Sequence, residues 1–309
     1  MKYNRVGIIG LGIMGRGICT ALVAHGIRTM GLDIRPESFA QAKTQIASGL
    51  AQLDNSSDWQ PLFEEAADLT SLADCDFVIE NLPEELALKR KIIASLEEVV
   101  RPETPIASNT SALPITLLQQ GMKHPERIVG MHWAEPCHLT QFLEIIRGDE
   151  TSAETAESAA ALGRMVGKDP TIVLRDVPGF IVNRLAYAMY REAFWMLENG
   201  VADVETIDRT FIAGFSIWAN VAGPFRWMDL TGLPAYAEAM ARLLPELSQA
   251  TEVPPLMREL VDSGALGIAN GRGFYQYSEE EAEAWRQKIV ANVKMVHSLH
   301  ASEDRGSPR

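Results

Sequence analysis

Apolar and polar positions along the chain fall into two regimes. Up to about residue 177, short apolar runs alternate with stretches of helical period. The runs Arg5–Gly10, Thr29–Asp33, Asp76–Glu84, Pro105–Ser108, Arg127–Met131, Phe142–Ile146 and Pro170–Leu174 read as buried strands. Between them, Met14–His25, Pro36–Leu53, a short stretch around Trp59–Ala67, Leu86–Val100 and a stretch ending near Val166 read as helices. The last is opened by the capping box Thr151-Ser-Ala-Glu154. Strands that are apolar throughout and separated by helices predict an open parallel sheet covered on both faces. Past the turn Arg175-Asp-Val-Pro-Gly179 the pattern is helical only: Phe180–Glu198, Asp203–Ala213, Gly223–Gly232, Pro234–Leu244, Pro254–Ser263 and a start at Glu279. The expected organisation is an α/β domain over 1–177, a smaller all-helical domain over 178–300, and a disordered tail over 301–309.

The first strand runs into Gly10-Leu-Gly12-Ile13-Met14-Gly15, which opens the first helix. This is G-x-G-x-x-G in the context that gives it meaning. Gly10 permits the tight turn, Gly12 lets backbone approach a pyrophosphate, and Gly15 lets the helix lie close to the strand. The helix start at Ile13 and Met14 offers backbone N–H groups to phosphate oxygens. The second strand ends in Asp33, an acid suited to the adenosine ribose hydroxyls and hostile to a 2′-phosphate, so NAD is expected over NADP; Arg35, two residues on, tempers that preference. The first domain is therefore expected to be a Rossmann-type doubly wound sheet.

Composition narrows the function classes. The 309 residues carry a net charge of −13, which argues against nucleic acid or an anionic membrane as partner. Cys19, Cys75 and Cys137 are widely spaced and form neither a disulfide framework nor a zinc motif. With the first strand beginning near Arg5 and no apolar run of the roughly 18–20 residues that span a bilayer, the expectation is a cytoplasmic protein off the membrane. His297 and His300 lie at i and i+3 with no third ligand, so no metal is expected.

The candidate chemistry sits in Met131-His-Trp-Ala-Glu-Pro-Cys-His-Leu-Thr-Gln-Phe-Leu-Glu144. If the two apolar runs flanking this loop lie side by side, the Glu144 carboxylate reaches the His132 imidazole. That pair is a proton acceptor with a fixed tautomer and a stabilised cation. Three consecutive strand ends carry Glu84, Ser111 and His132, and strand carboxyl ends line the ligand crevice of an open parallel sheet.

Gly10-x-Gly-x-x-Gly15, Val78-Ile-Glu-Asn-Leu-Pro-Glu84, Ser108-Asn-Thr-Ser111, His132 with Glu144, Pro178-Gly-Phe-Ile-Val-Asn-Arg184 and a closing Gly267-x-x-x-Gly271-x-Gly-Phe-Tyr275-x-Tyr277 occur in that order. Together they resemble the 3-hydroxyacyl-CoA dehydrogenase family, which includes relatives acting on L-gulonate, on carnitine and in pyridoxine degradation. The resemblance implies that His132 is the catalytic base and Glu144 its partner. It implies that Ser111 and Asn183 hydrogen-bond the reacting oxygen or an adjacent carbonyl, and that Glu84 and Lys89 lie near the nicotinamide ribose. Many members carry Asn before the Pro that follows the histidine, whereas this chain has Glu135-Pro136.

Segment 37–68, where the resemblance places CoA-handling helices, holds Lys43 against Glu37, Asp54, Asp58, Glu64, Glu65 and Asp68. Such charge opposes a polyanionic handle. The expected substrate is a small free hydroxy acid or sugar acid, with Glu135 and Arg184 as candidate substrate contacts. Three other readings stand beside it: 3-hydroxyacyl-CoA oxidation proper, oxidation of an aldehyde through its hydrate, and an NAD-binding structural protein without activity. Trp195, Phe211, Phe215, Trp218, Phe225 and Trp227 exceed what a small helical domain can bury, so a homodimer through the second domain is expected.

Overall fold

The computed structural model describes residues 3–303 and divides into two compact units, Met1–Arg184 and Leu185–Arg309. The first unit is an eight-stranded sheet in the order β3-β2-β1-β4-β5-β6-β7-β8. Its strands are β1 (Arg5–Ile9), β2 (Arg28–Leu32), β3 (Phe63–Glu65), β4 (Phe77–Glu80), β5 (Ile106–Ser108), β6 (Ile128–Trp133), β7 (Phe142–Ile146) and β8 (Asp169–Val173). Its helices are α1 (Ile13–Ala24), α2 (Glu37–Gln52), α3 (Leu86–Glu97), α4 (Ile115–Gln119) and α5 (Ala153–Met165). Neighbouring strands are parallel except at β6 and β7, which run antiparallel.

Apolar side chains cover both faces, as the continuous apolar strands predict. On one face Val6, Ile8, Val129, Met131 and Ile145 meet Ile18 and Leu22 of α1, Ile46 of α2 and Ala159 of α5. On the other, Ile9, Val78, Ile106 and Ile128 meet Ile93 and Leu96 of α3 and Leu118 of α4. The chain moves outward from β1 to β3 and then returns to lay β4 against β1. The strand order therefore reverses between β1 and β4, and the crevice beyond their carboxyl ends is where such sheets bind ligands.

Two local expectations fail. The stretch Trp59–Ala67 is not a helix: a single 3-10 turn at Gln60–Leu62 gives way to β3, which pairs in parallel with β2. Pro61 restricts the turn, and burying Phe63 while pairing the open edge of β2 outweighs helical spacing. The helix cap near 151 also shifts by one residue: Ser152, not Thr151, accepts the Thr155 N–H, while the Thr151 hydroxyl donates to the Ile128 carbonyl.

Helix α6 (Val182–Glu198) begins at the end of the first unit and continues into the second. The second unit adds α7 (Val204–Thr210), a π-helical turn at Phe211–Phe215, α8 (Ser216–Ala219), α9 (Pro224–Thr231), α10 (Leu233–Leu243), α11 (Pro255–Asp262) and α12 (Glu279–Glu303). Among its described residues the regular structure is helical, apart from isolated bridges in the Gly267–Gln276 turn. The predicted tail is helical through Glu303, and the rest of it lies outside the described residues. Among the described residues, no helix is long and apolar enough to cross a membrane.

Candidate active site

The glycine-rich turn lies at the sheet's switch point. Gly10 has φ 85°, and a Cβ there would lie 2.7 Å from the Asn81 carbonyl oxygen. A Cβ on Gly15 would lie 1.9 Å from the Gly10 carbonyl oxygen, so α1 can start this close to β1 only with glycine at both positions. Gly12 differs: a Cβ there meets nothing within 4 Å. The space beside Gly12 is open, at the N-terminus of α1 where Ile13 and Met14 begin the helix. Asp33 borders the turn, its Oδ2 accepting the Leu11 N–H at 2.8 Å and its Oδ1 the Arg35 N–H at 2.9 Å. Although partial burial opposes ionisation, the bonds from Arg35 and Leu11 hold its carboxyl below the usual carboxylate range. Arg35 folds back onto this carboxylate and forms an ion pair with it at 3.2 Å.

His132 and Glu144 are direct cross-strand partners on β6 and β7. His132 Nδ1 and Glu144 Oε2 stand 2.9 Å apart, with the two side chains 8% and 2% exposed. The other carboxylate oxygen, Oε1, accepts the Ile181 and Val182 N–H groups at 3.0 Å each. Phe142 and Phe180 flank the imidazole, both with ring centroids 5.7 Å from it. The Nδ1 edge of the imidazole is thus taken up by Glu144.

Glu84 lies in a loop rather than at a strand end, because β4 stops at Glu80 and Pro83 supplies no ladder donor. Its Oε1 accepts the Thr110 hydroxyl at 2.6 Å and the Ser111 and Ala112 N–H groups at 2.9 Å each. These bonds, with the nearby Lys89 cation, outweigh partial burial and lower the carboxyl's pKa. Glu84 thus holds the loop that presents Ser111, and the Ser111 carbonyl accepts the Asn183 side-chain amide at 3.0 Å. Ser111, Glu84 and Asn183 are thereby brought together.

Lys89 is placed differently from expectation. Its side chain is fully buried, with Nζ 2.9 Å from Glu80 Oε1, 3.0 Å from the Leu82 carbonyl and 3.5 Å from Glu84 Oε2. A lysine held so, beneath the loop, presents no charge to a ribose; it ties Glu80 and Glu84 together. Glu80 also accepts the Leu82 N–H at 2.5 Å and the Ser108 hydroxyl at 2.6 Å. Sequence reading misses this Glu80–Lys89–Ser108 cluster, because a lysine in a helix's first turns normally signals solvent.

The other two candidate contacts, Arg184 and Glu135, are engaged by residues near them in the chain. The Arg184 guanidinium donates to the Pro178 carbonyl at 3.4 Å. Glu135 joins Pro136 through a cis peptide bond, and its carboxylate accepts the Cys137 thiol at 3.8 Å. A buried lysine that the sequence did not single out, Lys168, donates to the Cys137 and Thr140 carbonyls and lies 5.4 Å from the Trp133 ring. Burial pulls its pKa down to about 8.

The family profile for the 3-hydroxyacyl-CoA dehydrogenase NAD-binding domain matches residues 5–177, and that for the C-terminal domain of the same enzymes matches residues 179–277. The chain belongs to the 3-hydroxyacyl-CoA dehydrogenase family. Membership makes NAD the cofactor and oxidation at a CH–OH group the class of chemistry. The 5-formyl-3-hydroxy-2-methylpyridine 4-carboxylate 5-dehydrogenase of Mesorhizobium japonicum is 33% identical over 304 residues, covering 96% of this chain and 98% of that one. The crystal structure of an enzyme of that name, described as an NAD+-dependent dismutase, superimposes with a TM-score of 0.89 at 31% identity, covering 96% and 98%. A probable 3-hydroxybutyryl-CoA dehydrogenase of Deinococcus radiodurans is 34% identical over 285 residues, covering 90% and 100%. The (S)-3-hydroxybutyryl-CoA dehydrogenase of Ralstonia eutropha gives a TM-score of 0.73 at 32% identity, covering 90% and 100%.

Proposed function

We propose that this family member oxidises the hydroxyl of a small 3-hydroxy acid that carries no CoA, with His132 as base and Glu144 as its partner. The observation that carries the chemistry is the buried pair at 2.9 Å, with the second oxygen of Glu144 held by two backbone N–H groups. With a carboxylate on Nδ1, the neutral ring keeps its proton there and turns the Nε2 lone pair to the substrate. Nε2 takes the hydroxyl proton, and Glu144 stabilises the imidazolium formed. NAD supplies the acceptor for the hydride that leaves the same carbon. Ser111 and Asn183, linked at 3.0 Å, offer donors to the substrate's oxygens as the alcohol becomes a ketone. Gly12, Ile13 and Met14 would hold the pyrophosphate, Asp33 the adenosine ribose, and Glu84 the nicotinamide-side ribose.

Absence of CoA is supported by charge. The Lys43 ammonium is engaged by Glu65 at 2.7 Å, and Arg5, alongside, by Glu64. Neither cation is left for the phosphates of a CoA handle. The dehydrogenase with TM-score 0.89 is named for a free pyridine carboxylate, which points the same way. Its formyl substrate also favours a second reading, in which His132 takes a proton from an aldehyde hydrate, hydride leaves the same carbon, and a carboxylic acid results.

The test is NADH formation at about pH 9, where proton release favours oxidation. The panel contains free 3-hydroxy acids, sugar acids, carnitine-like cations, aromatic aldehydes and one 3-hydroxyacyl-CoA, with His132→Ala as control. Oxidation of a free acid by the wild type only is the expected result. Saturable turnover of 3-hydroxybutyryl-CoA with a low-micromolar KM would overturn it, and accumulation of a carboxylic acid from an aldehyde would establish the second reading.

The second unit supports a homodimer. Among its described residues only Ala222 and Ala282 are buried apolar side chains, whereas Phe225 is 80% exposed and Tyr187, Ile217 and Leu230 are 69% exposed. A helical unit this open is completed by another apolar surface, and a second copy is the simplest source. Sedimentation should give about twice the 34.0 kDa chain mass, with Phe225→Glu shifting the protein toward monomer. A folded wild-type monomer at micromolar concentration would rule the dimer out.

A further inference from the structure

The loop from Ala134 to Gln141 leaves β6 directly after His132 and Trp133, and it rests on the first two turns of α1. Cys137 Sγ lies 3.8 Å from the Met14 carbonyl oxygen and 3.9 Å from Met14 Sδ. A Cβ on Gly17 would lie 3.0 Å from Cys137 Cβ, so loop and helix are in contact there. Glu135, bonded to Cys137 Sγ, therefore stands beside the helix whose N-terminus receives the pyrophosphate. The cation whose charge acts on Glu135 is Arg16, whose Nε donates to the Gly12 carbonyl at 3.2 Å and whose Nη1 donates to Gln41 at 2.7 Å. That guanidinium is taken up by the dinucleotide turn and by α2 rather than by Glu135.

We propose that Glu135 sets the charge of the cofactor site: its carboxylate, held beside the first turns of α1, opposes the anionic pyrophosphate, so that dinucleotide binding is weakened and takes up a proton. Like charges on neighbouring groups at a partly solvated site change an equilibrium by roughly tenfold. Crowding by protein raises the carboxyl's pKa, and the Cys137 bond and Arg16 oppose that rise only in part. A bound pyrophosphate raises it further. Affinity is therefore greatest where Glu135 is protonated in both free and bound enzyme. It falls as pH rises through the free-enzyme titration, which lies above the ordinary value of 4.5, and levels off once the bound-form titration is passed.

The other charged groups around this loop do not reproduce that profile. Asp33 titrates below the usual carboxylate range and stays ionised throughout. His138, desolvated and bonded to Gln52, is pushed down to about 4 and is neutral throughout. Lys168, at about 8, stays largely charged if the range ends near pH 7. Arg16 is a constant cation, and His132 is common to every variant compared below. The inference rests on the NAD site and not on the substrate proposed above, so either can fail without the other.

The test measures dissociation constants for NADH and for ADP-ribose, which shares the pyrophosphate but lacks the nicotinamide, between about pH 5 and pH 7. Wild type, Glu135→Gln and Glu135→Asp are compared, and proton uptake is read by calorimetry in two buffers of different ionisation enthalpy. Wild-type affinity for both ligands should fall by about tenfold as Glu135 ionises, with net proton uptake. Glu135→Gln should bind about tenfold tighter near pH 7 and lose the uptake, while Glu135→Asp retains it. Parallel profiles in wild type and Glu135→Gln overturn the proposal. So does an effect confined to the KM of the organic substrate, which would return Glu135 to substrate recognition.

Discussion

Glu144→Gln should lower kcat by about 10²- to 10⁴-fold while leaving NADH affinity unchanged. The substitution keeps the size of the side chain and an oxygen for the Ile181 and Val182 N–H groups, so the loop entering α6 stays anchored. What changes is the atom opposite His132. An amide nitrogen there donates to Nδ1, moves the ring proton to Nε2, and leaves no lone pair for the hydroxyl. The negative charge that would stabilise the imidazolium is lost as well. Stopped-flow turnover and NADH fluorescence titration on the same preparation separate the two effects. Activity within about threefold of wild type would show that the pair is structural and that another group takes the proton.

Lys89→Met should destabilise the first unit by about 3–5 kcal/mol, the cost of leaving a buried carboxylate without its cation. Glu80 is fully buried and would keep only the Leu82 N–H and the Ser108 hydroxyl. Denaturant unfolding measures this directly. The double variant Glu80→Gln/Lys89→Met removes both charges and should recover most of the loss, because the penalty belongs to the unpaired ion rather than to the missing bond. Equal destabilisation in single and double variants would mean that the lysine acts by packing alone. In the single variant NADH affinity should also weaken, since Glu84 loses the cation beneath it.

These two sites differ in how far the sequence discloses them. The glycine turn is legible because part of its demand is local: Gly10 has φ 85° and Gly15 packs on the Gly10 carbonyl, although the Asn81 carbonyl that crowds Gly10 comes from a distant strand end. The His132–Glu144 pair is legible because both residues interrupt apolar runs, and a polar residue in a buried strand asks for a partner. Lys89 is singled out by the resemblance for the ribose, and nothing in the sequence points it to Glu80. A lysine in a helix's first turns reads as solvent-facing, and only the tertiary placement of α3 over β4 shows it sealed against Glu80. Lys168 is hidden likewise, because the carbonyls it satisfies, Cys137 and Thr140, lie in a loop some 30 residues earlier in the chain. The strand β3 escapes detection because three residues cannot establish a period. Its existence depends on the open edge of β2, which no local window contains.

The register between β6 and β7 has a bearing on how this enzyme could diverge. His132 and Glu144 face each other because the ladder pairs their backbones, not because the intervening loop aims them. The segment Ala134–Gln141 can therefore exchange residues, lengthen or shorten while the His132–Glu144 pair keeps its geometry. A lineage with this arrangement can change the ligands that it accepts by redrafting one hairpin loop and leave its reaction intact.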